Sequence, residues 1–194
     1  MMTKELEIEF KNMLTQEKYK ELLSAFKFQP SDAKVQENQY FDTPDFKLKD
    51  KRCALRIRKK ADGFECTLKL PAPEGNIEIT DQLAQGEAEN IEQAVSFDAK
   101  EVLQALNEEK IDWKALRPIG TLITHRIEFE YKGGLLVLDH SFYSGREDYE
   151  VEYEVTDAAA GQQIFNRFLA EHAIPVHPAE KKIVRFMKAA ISMP

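Results

Sequence analysis

The sequence lacks several features that mark whole classes of protein. No apolar run approaches membrane-spanning length and no signal-peptide core follows Met1, so we expect a cytoplasmic protein with no membrane partner. The two cysteines, Cys53 and Cys66, do not have the spacing of a zinc site or a redox pair. A basic excess is also missing, since the net charge of -7 argues against a nucleic-acid partner. The length of 194 residues predicts one soluble domain, residues 1–194.

What the sequence has in quantity is charge that alternates with apolar residues. Residues 5–11 place Leu6, Ile8 and Phe10 on one face of a predicted strand and charged side chains on the other. The same period of two recurs in most of the strands that follow. The charged positions on this alternating face are Glu5, Glu7, Glu9, Lys11, Arg56, Arg58, Lys69, Glu78, Arg126, Glu128, Glu130, Asp139, Glu150, Glu152 and Glu154.

The pattern of strands and helices predicts an α+β fold. Strands are expected at 5–11, 35–42, 53–59, 64–70, 76–80, 119–131, 135–142 and 149–155. Turns are expected at 61–63 and at Gly133-Gly134, and helices at 15–27, within 86–110 as one or two helices, from Asp157 onwards and at 179–191. Eight strands joined mainly as hairpins favour an eight-stranded antiparallel β-barrel, a tunnel with a charged interior and helices packed outside it.

A charged interior of this kind needs a ligand or complete internal pairing. Unpaired charges are costly in a low-dielectric interior, so the interior must be wet and must neutralise itself. Carboxylate oxygens are the ligands that Mg²⁺ and Mn²⁺ prefer, whereas arginine forks match phosphate oxygens. The two sets of side chains together predict a site for a metal-bound chain of phosphates.

Several fragments of the sequence resemble those of a known family. Glu7-Ile8-Glu9-Phe10-Lys11 is similar to the Glu-x-Glu-x-Lys signature of the CYTH domain, whose members are called triphosphate tunnel metalloenzymes. The resemblance continues, in the order of the family, through nearly the whole chain. Its further fragments are Tyr40-Phe41-Asp42-Thr43-Pro44, Leu55-Arg56-Ile57-Arg58, Thr67-Leu68-Lys69, Leu138-Asp139, Glu150-Val151-Glu152 and Lys182-Ile183-Val184-Arg185.

The resemblance implies a role for each matching side chain. It implies that the metal ligands are Glu7, Glu9, Asp139, Glu150 and Glu152. It implies that the phosphate-binding residues are Lys11, Arg56, Arg58, Lys69, Arg126, Lys182 and Arg185, of which Lys11, Arg58 and Lys69 are assigned to catalysis. Mg²⁺ or Mn²⁺ is the implied cofactor, with one metal orienting the triphosphate and a second activating water. The sequence departs from the family pattern at Asn76 and Thr124, where many relatives have Arg and Lys.

Several interpretations stay open on the sequence alone. The resemblance favours a metal-dependent hydrolase of inorganic or organic triphosphate, but some family members are class IV adenylate cyclases. A non-catalytic module that binds triphosphate or polyphosphate, and a barrel whose charges are all paired and inert, are also compatible. The oligomeric state can be monomer or dimer. Glu5 and Glu154 lie at the ends of their runs and are expected to face solvent or to support the site, and Lys181 competes with Lys182 for the inward position.

Overall fold

A computed structural model of the protein describes residues 3–60, 63–83 and 99–191. Eight strands form a closed antiparallel barrel in the order β1-β5-β4-β3-β2-β6-β7-β8, which confirms the predicted α+β fold. The strands are β1 (Thr3–Leu14), β2 (Lys34–Asp42), β3 (Ala54–Lys60), β4 (Gly63–Pro71), β5 (Asn76–Leu83), β6 (Arg117–Tyr131), β7 (Gly134–Tyr143) and β8 (Arg146–Val155). The helices are α1 (Gln16–Ala25), α2 (Lys47–Asp50), α3 (Lys100–Glu108), α4 (Ala158–Glu171) and α5 (Lys182–Ile191).

The chain divides into two compact units, residues 1–6 with 37–122 and residues 7–36 with 123–194. In the first unit the apolar faces of β3, β4 and β5 pack with α3 around a core that contains Leu68 and Leu106. Asp81 of β5 accepts hydrogen bonds from the backbone N–H groups of Glu101 and Val102 at 3.0 Å, so it satisfies the free donors at the start of α3.

In the second unit α1 and α4 pack against β8. Their core contains Leu22, Leu138, Tyr153 and Phe168, all of which are almost fully buried. The helix α4 approaches the sheet closely at Gly161, where a Cβ atom would lie 2.6 Å from Val155. The helices cover the apolar face of these strands. The alternate residues of the same strands form the polar face, which carries the candidate site.

Some boundaries differ from the sequence expectations. The hairpin turn between β6 and β7 is Lys132-Gly133 rather than Gly133-Gly134, and both of its residues have positive φ, as a two-residue turn of this kind requires. The helix α5 begins at Lys182 rather than at 179. Of the helices expected within 86–110, α3 is observed, whereas residues 84–98 and the expected turn residues 61 and 62 lie outside the described residues.

Among the described residues, none of the helices is long and apolar enough to cross a membrane.

Candidate functional site

Three buried carboxylates lie together on the polar face of β7 and β8. Asp139 and Glu150 are directly opposite each other in the antiparallel register, and Glu152 follows two residues along β8. Their side chains have at most 2% of their surface exposed. One oxygen of each lies within 4.8 Å of the others, which is close enough for all three to bind one metal ion. We call Asp139, Glu150 and Glu152 the buried trio.

Several cations, among them Lys182, Arg126 and Lys11, neutralise the buried trio. The Lys182 ammonium lies 2.7 Å from Asp139 Oδ2 and 2.9 Å from Glu152 Oε1, and it also contacts Glu150 Oε1. Arg126 donates two parallel hydrogen bonds to Asp139, at 2.9 and 2.7 Å, and a third to Glu152 at 2.7 Å. Lys11 donates to Glu152 at 2.8 Å. Such pairing is what allows three carboxylates to be buried in one place.

These contacts shift the protonation equilibria of the buried groups. Burial alone would raise the pKa of Asp139, but Arg126 and Lys182 outweigh it and hold that pKa well below its usual range. Burial alone would lower the pKa of Lys11, but Glu152 and Glu9 outweigh it and raise that pKa. Burial holds the pKa of Lys182 below its ordinary value, with Asp139 opposing the shift and Lys11 and Arg126 adding to it. Asp139 is therefore ionised at neutral pH, as a metal ligand must be.

A second group of carboxylates lies on β1 and at the end of β8. Glu9 is directly opposite Glu154 in the register, and Glu7 completes a set whose oxygens lie within 4.8 Å of one another. All three side chains are partly exposed. Burial, followed by the charges of neighbouring glutamates, raises the pKa of Glu154 to about 7, although Arg126 opposes the shift. We call Glu7, Glu9 and Glu154 the outer trio.

The two trios share two cations, Lys11 and Arg126. The ammonium of Lys11 lies 2.8 Å from Glu9 of the outer trio and 2.8 Å from Glu152 of the buried trio. Arg126 also reaches both, since its Nη1 lies 3.8 Å from Glu154. The structure thus brings together all five carboxylates expected as metal ligands, together with Lys11, Arg126 and Lys182. Lys181 is an exposed residue.

Three of the remaining expected cations, Arg56, Arg58 and Lys69, lie on the polar face of the first unit. Arg58 donates from Nε to Asn38 at 2.8 Å, and Lys69 forms an ion pair with Glu78. The Nε of Arg56 is buried and has no hydrogen-bond partner among the described residues. A buried donor without an acceptor is destabilising, so this N–H group is suited to bind an anionic oxygen.

The two departures from the family pattern are buried polar positions. Asn76 has 3% of its surface exposed and Thr124 has 2%. Thr124 lies directly opposite Ser141, and their hydroxyl oxygens are 3.4 Å apart. A neutral pair therefore stands beside the buried trio where many relatives have a lysine.

Asp42, in the Tyr-Phe-Asp-Thr-Pro fragment, has a structural explanation. Its carboxylate accepts hydrogen bonds from the backbone N–H groups of Thr43 at 2.7 Å, Leu48 at 2.9 Å and Lys49 at 3.1 Å. Leu48 and Lys49 are at the start of the short helix α2, where backbone donors would otherwise lack acceptors, and Thr43 begins the loop that leads to it. This part of the family resemblance therefore maintains the fold.

Two features of the site were not found from the sequence. The sequence puts Glu154 on the charged face and predicts that it faces solvent or supports the site, and only the register of β1 against β8 shows that it faces Glu9. Asp148 and Tyr143 were not identified at all, because they fall between the strands expected at 135–142 and 149–155. Arg185 binds Asp148 Oδ2 at 2.9 Å and Glu150 Oε2 at 2.8 Å, so it contacts the buried trio from α5.

The fold and the site together define a class of protein: a barrel of eight antiparallel strands with two adjoining carboxylate clusters and cations interleaved among them. The CYTH domain model matches residues 5–187, and the chain belongs to this family.

Similar proteins support the same family. The chain is 42% identical over 187 residues to YjbK of Bacillus subtilis strain 168, which is provisionally named a triphosphatase, and the match covers 95% of this chain and 96% of that one. A crystal structure from Bacillus halodurans, provisionally named an adenylate cyclase, is 42% identical with a TM-score of 0.89 and covers 94% of this chain and 98% of that one. HpAC1 from Hippeastrum, described as having a dominant triphosphatase activity, shares the fold with a TM-score of 0.75 at 21% identity, covering 94% and 96%.

Proposed function

We propose that this protein is a divalent-metal-dependent triphosphatase that hydrolyses a small triphosphate. The observation that carries the proposal is the pair of adjoining carboxylate trios with Lys11 and Arg126 between them. The name of YjbK, at 42% identity over nearly the full length of both chains, supports the same reaction class. Phosphate chains need cations and metal ions need carboxylates, and this cluster supplies both.

The donor set fits Mg²⁺ or Mn²⁺. All six groups in the two trios are carboxylates, which are hard oxygen donors, and neither trio contains the histidine or cysteine that zinc sites favour. The residues that would hold metal are Asp139, Glu150 and Glu152 in the buried trio and Glu7, Glu9 and Glu154 in the outer trio. When bound, the metal supplies Lewis-acid stabilisation of phosphate oxygens and lowers the pKa of a bound water.

The cations of the chain would bind and orient the triphosphate. We propose that Lys11, Arg126 and Lys182 hold phosphate oxygens when the carboxylates bind metal, and that Arg56, Arg58 and Lys69 bind phosphate as the family resemblance implies. The unpartnered Nε of Arg56 supports an anionic ligand for this side chain. Fixed positive charges of this kind stabilise the charge that spreads over the transferred phosphoryl group.

An adenylate cyclase is the second candidate, because the Bacillus halodurans relative carries that name. This reaction requires the ribose 3′-hydroxyl rather than water to attack the α-phosphorus of ATP. Its products are pyrophosphate and cyclic AMP, whereas a triphosphatase releases orthophosphate. Product analysis with ATP therefore separates the two.

Phosphate release tests the proposal directly. Inorganic triphosphate, ATP and thiamine triphosphate are each incubated with Mg²⁺, Mn²⁺ or EDTA, and wild type is compared with Glu9→Gln. The control is Glu5→Gln, since Glu5 is an exposed glutamate on the same face of β1. We expect metal-dependent release that Glu9→Gln lowers by about 100-fold or more and Glu5→Gln leaves within about twofold. Release from none of the three substrates would refute the triphosphatase proposal.

We place this activity in the cytoplasm, with a small-molecule triphosphate as the partner. Both cysteines are buried and neither forms a disulfide, in keeping with a reducing compartment.

A further inference from the structure

Arg185 was expected to grip phosphate, but its guanidinium is already committed to protein acceptors. Its Nε and Nη2 donate to the two oxygens of Asp148 at 2.9 and 3.3 Å. Its Nη1 donates to Glu150 Oε2 at 2.8 Å and to the backbone carbonyl of Glu180 at 2.6 Å. A guanidinium has five N–H groups, and these contacts use all but one of them.

The Asp148 carboxylate is itself held from a second direction. Tyr143, at the end of β7, donates its hydroxyl to Asp148 Oδ2 at 2.5 Å. Burial raises the pKa of Tyr143 to about 12, so the hydroxyl keeps its proton and remains a donor. The side chains of Asp148 and Arg185 have only 14% and 11% of their surface exposed. A chain of contacts therefore runs from Tyr143 through Asp148 and Arg185 to Glu150.

This chain of contacts fixes one oxygen of Glu150 and leaves the other for the cluster. Arg185 holds Oε2 of Glu150. Oε1 of Glu150 contacts the Lys182 ammonium, which also contacts oxygens of Asp139 and Glu152. Carboxylate ligands of metals are commonly oriented by such outer contacts, and losing one typically lowers metal affinity 10- to 100-fold.

We propose that Arg185, held by Asp148 and Tyr143, is a positioning residue that orients Glu150 for metal binding and does not bind the triphosphate. The proposal rests on the proposed function, because it assumes that the buried trio holds a metal. It also gives Asp148 and Tyr143 a role in the site. Arg185 acts through Glu150, so its removal should change metal affinity before it changes triphosphate affinity.

The test compares Arg185→Lys, Asp148→Asn and the double variant with wild type. Mn²⁺ binding is measured by titration calorimetry without any triphosphate, and KM for inorganic triphosphate is measured at saturating Mg²⁺. Tyr143→Phe removes a single hydroxyl and serves as a milder variant that keeps the packing. Lys188→Ala is the matched control, since Lys188 is an exposed cation of α5 that pairs with the side chain of Glu180.

We expect Arg185→Lys and Asp148→Asn each to weaken Mn²⁺ binding by about 10-fold or more, and Tyr143→Phe to weaken it by a smaller factor. The double variant should be little worse than either single variant, because both break one connected unit. KM at saturating Mg²⁺ and the control should stay within about twofold of wild type.

The opposite pattern overturns the proposal. If Arg185→Lys raises KM at saturating Mg²⁺ while Mn²⁺ affinity is unchanged, Arg185 is a phosphate ligand. If wild type binds no Mn²⁺, there is no metal for Glu150 to hold and the proposal fails. If wild type binds Mn²⁺ and the variants weaken it, but no substrate is hydrolysed, the proposed function fails while the positioning role stands.

Discussion

Glu154 makes a pH-dependent contribution to stability that can be measured without any ligand. The folded protein raises its pKa to about 7 from an ordinary value of 4.5. Between these pH values the folded state keeps a proton that the unfolded state has lost, so the free energy of unfolding falls as pH rises through this window. Above about pH 7 the stabilising contribution of the Glu154 proton is fully lost.

The magnitude follows from the size of the shift. Each tenfold change in proton affinity is worth about 1.4 kcal/mol, which gives an upper value of about 3 kcal/mol. The side chain keeps 28% of its surface exposed, and solvent screening reduces the value to about 2 kcal/mol. Glu154→Gln mimics the protonated form at every pH. We therefore expect this variant to be about 2 kcal/mol more stable than wild type at pH 8, and the difference to vanish below about pH 4.5.

Urea unfolding in EDTA at a series of pH values measures this difference. Glu130→Gln is the control, because Glu130 is an exposed glutamate on the polar face of the neighbouring hairpin. The reasoning is refuted if Glu154→Gln is less stable than wild type at pH 8. That result would mean that an ionised Glu154 gains more from Arg126, whose Nη1 is 3.8 Å away, than it loses through burial and repulsion.

Three further outcomes are expected. Asp42→Ala should lower the free energy of unfolding by about 2 kcal/mol or more, because three backbone donors lose their acceptor, and leave kcat unchanged in the phosphate-release assay. Gly161→Ala should destabilise the protein by about 1–3 kcal/mol in urea unfolding, although alanine has the higher helix propensity, because its Cβ would meet Val155; a gain in stability would contradict the close approach. Lys182→Gln should strengthen Mn²⁺ binding about tenfold, because the Lys182 ammonium competes with the metal for the buried trio, and it should raise KM for triphosphate. Weaker Mn²⁺ binding by this variant would show that the ammonium supports the trio and does not compete with the metal.

The strands were predictable because the side-chain period of two is written in the sequence. Glu7, Glu9 and Lys11 alternate with Ile8 and Phe10, and the structure confirms a strand there. The same alternation identified the glutamates of β8 as residues of one face. Family resemblance then supplied the order of the fragments.

The register between strands could not be predicted from such periods. Glu154 faces Glu9 only because β1 and β8 pair with one particular offset, and a shift of two residues would keep every face while changing every partner. The contacts of α5 depend in the same way on where that helix begins. Its start at Lys182 places this lysine among the carboxylates and leaves Lys181 exposed, and neighbouring lysines give no local signal that distinguishes them.

The cations assigned to phosphate and the cations that stabilise the buried carboxylates are the same side chains. Lys11, Arg126 and Lys182 contact Glu152, and two of them also contact Asp139. Buried carboxylates need positive charge at all times, and either these side chains or a divalent metal can supply it. A metal that binds the trio would therefore release the cations from part of their pairing, and a triphosphate arriving with the metal would give them new partners. On this reasoning metal and triphosphate binding are coupled through charge alone, and each should strengthen the other.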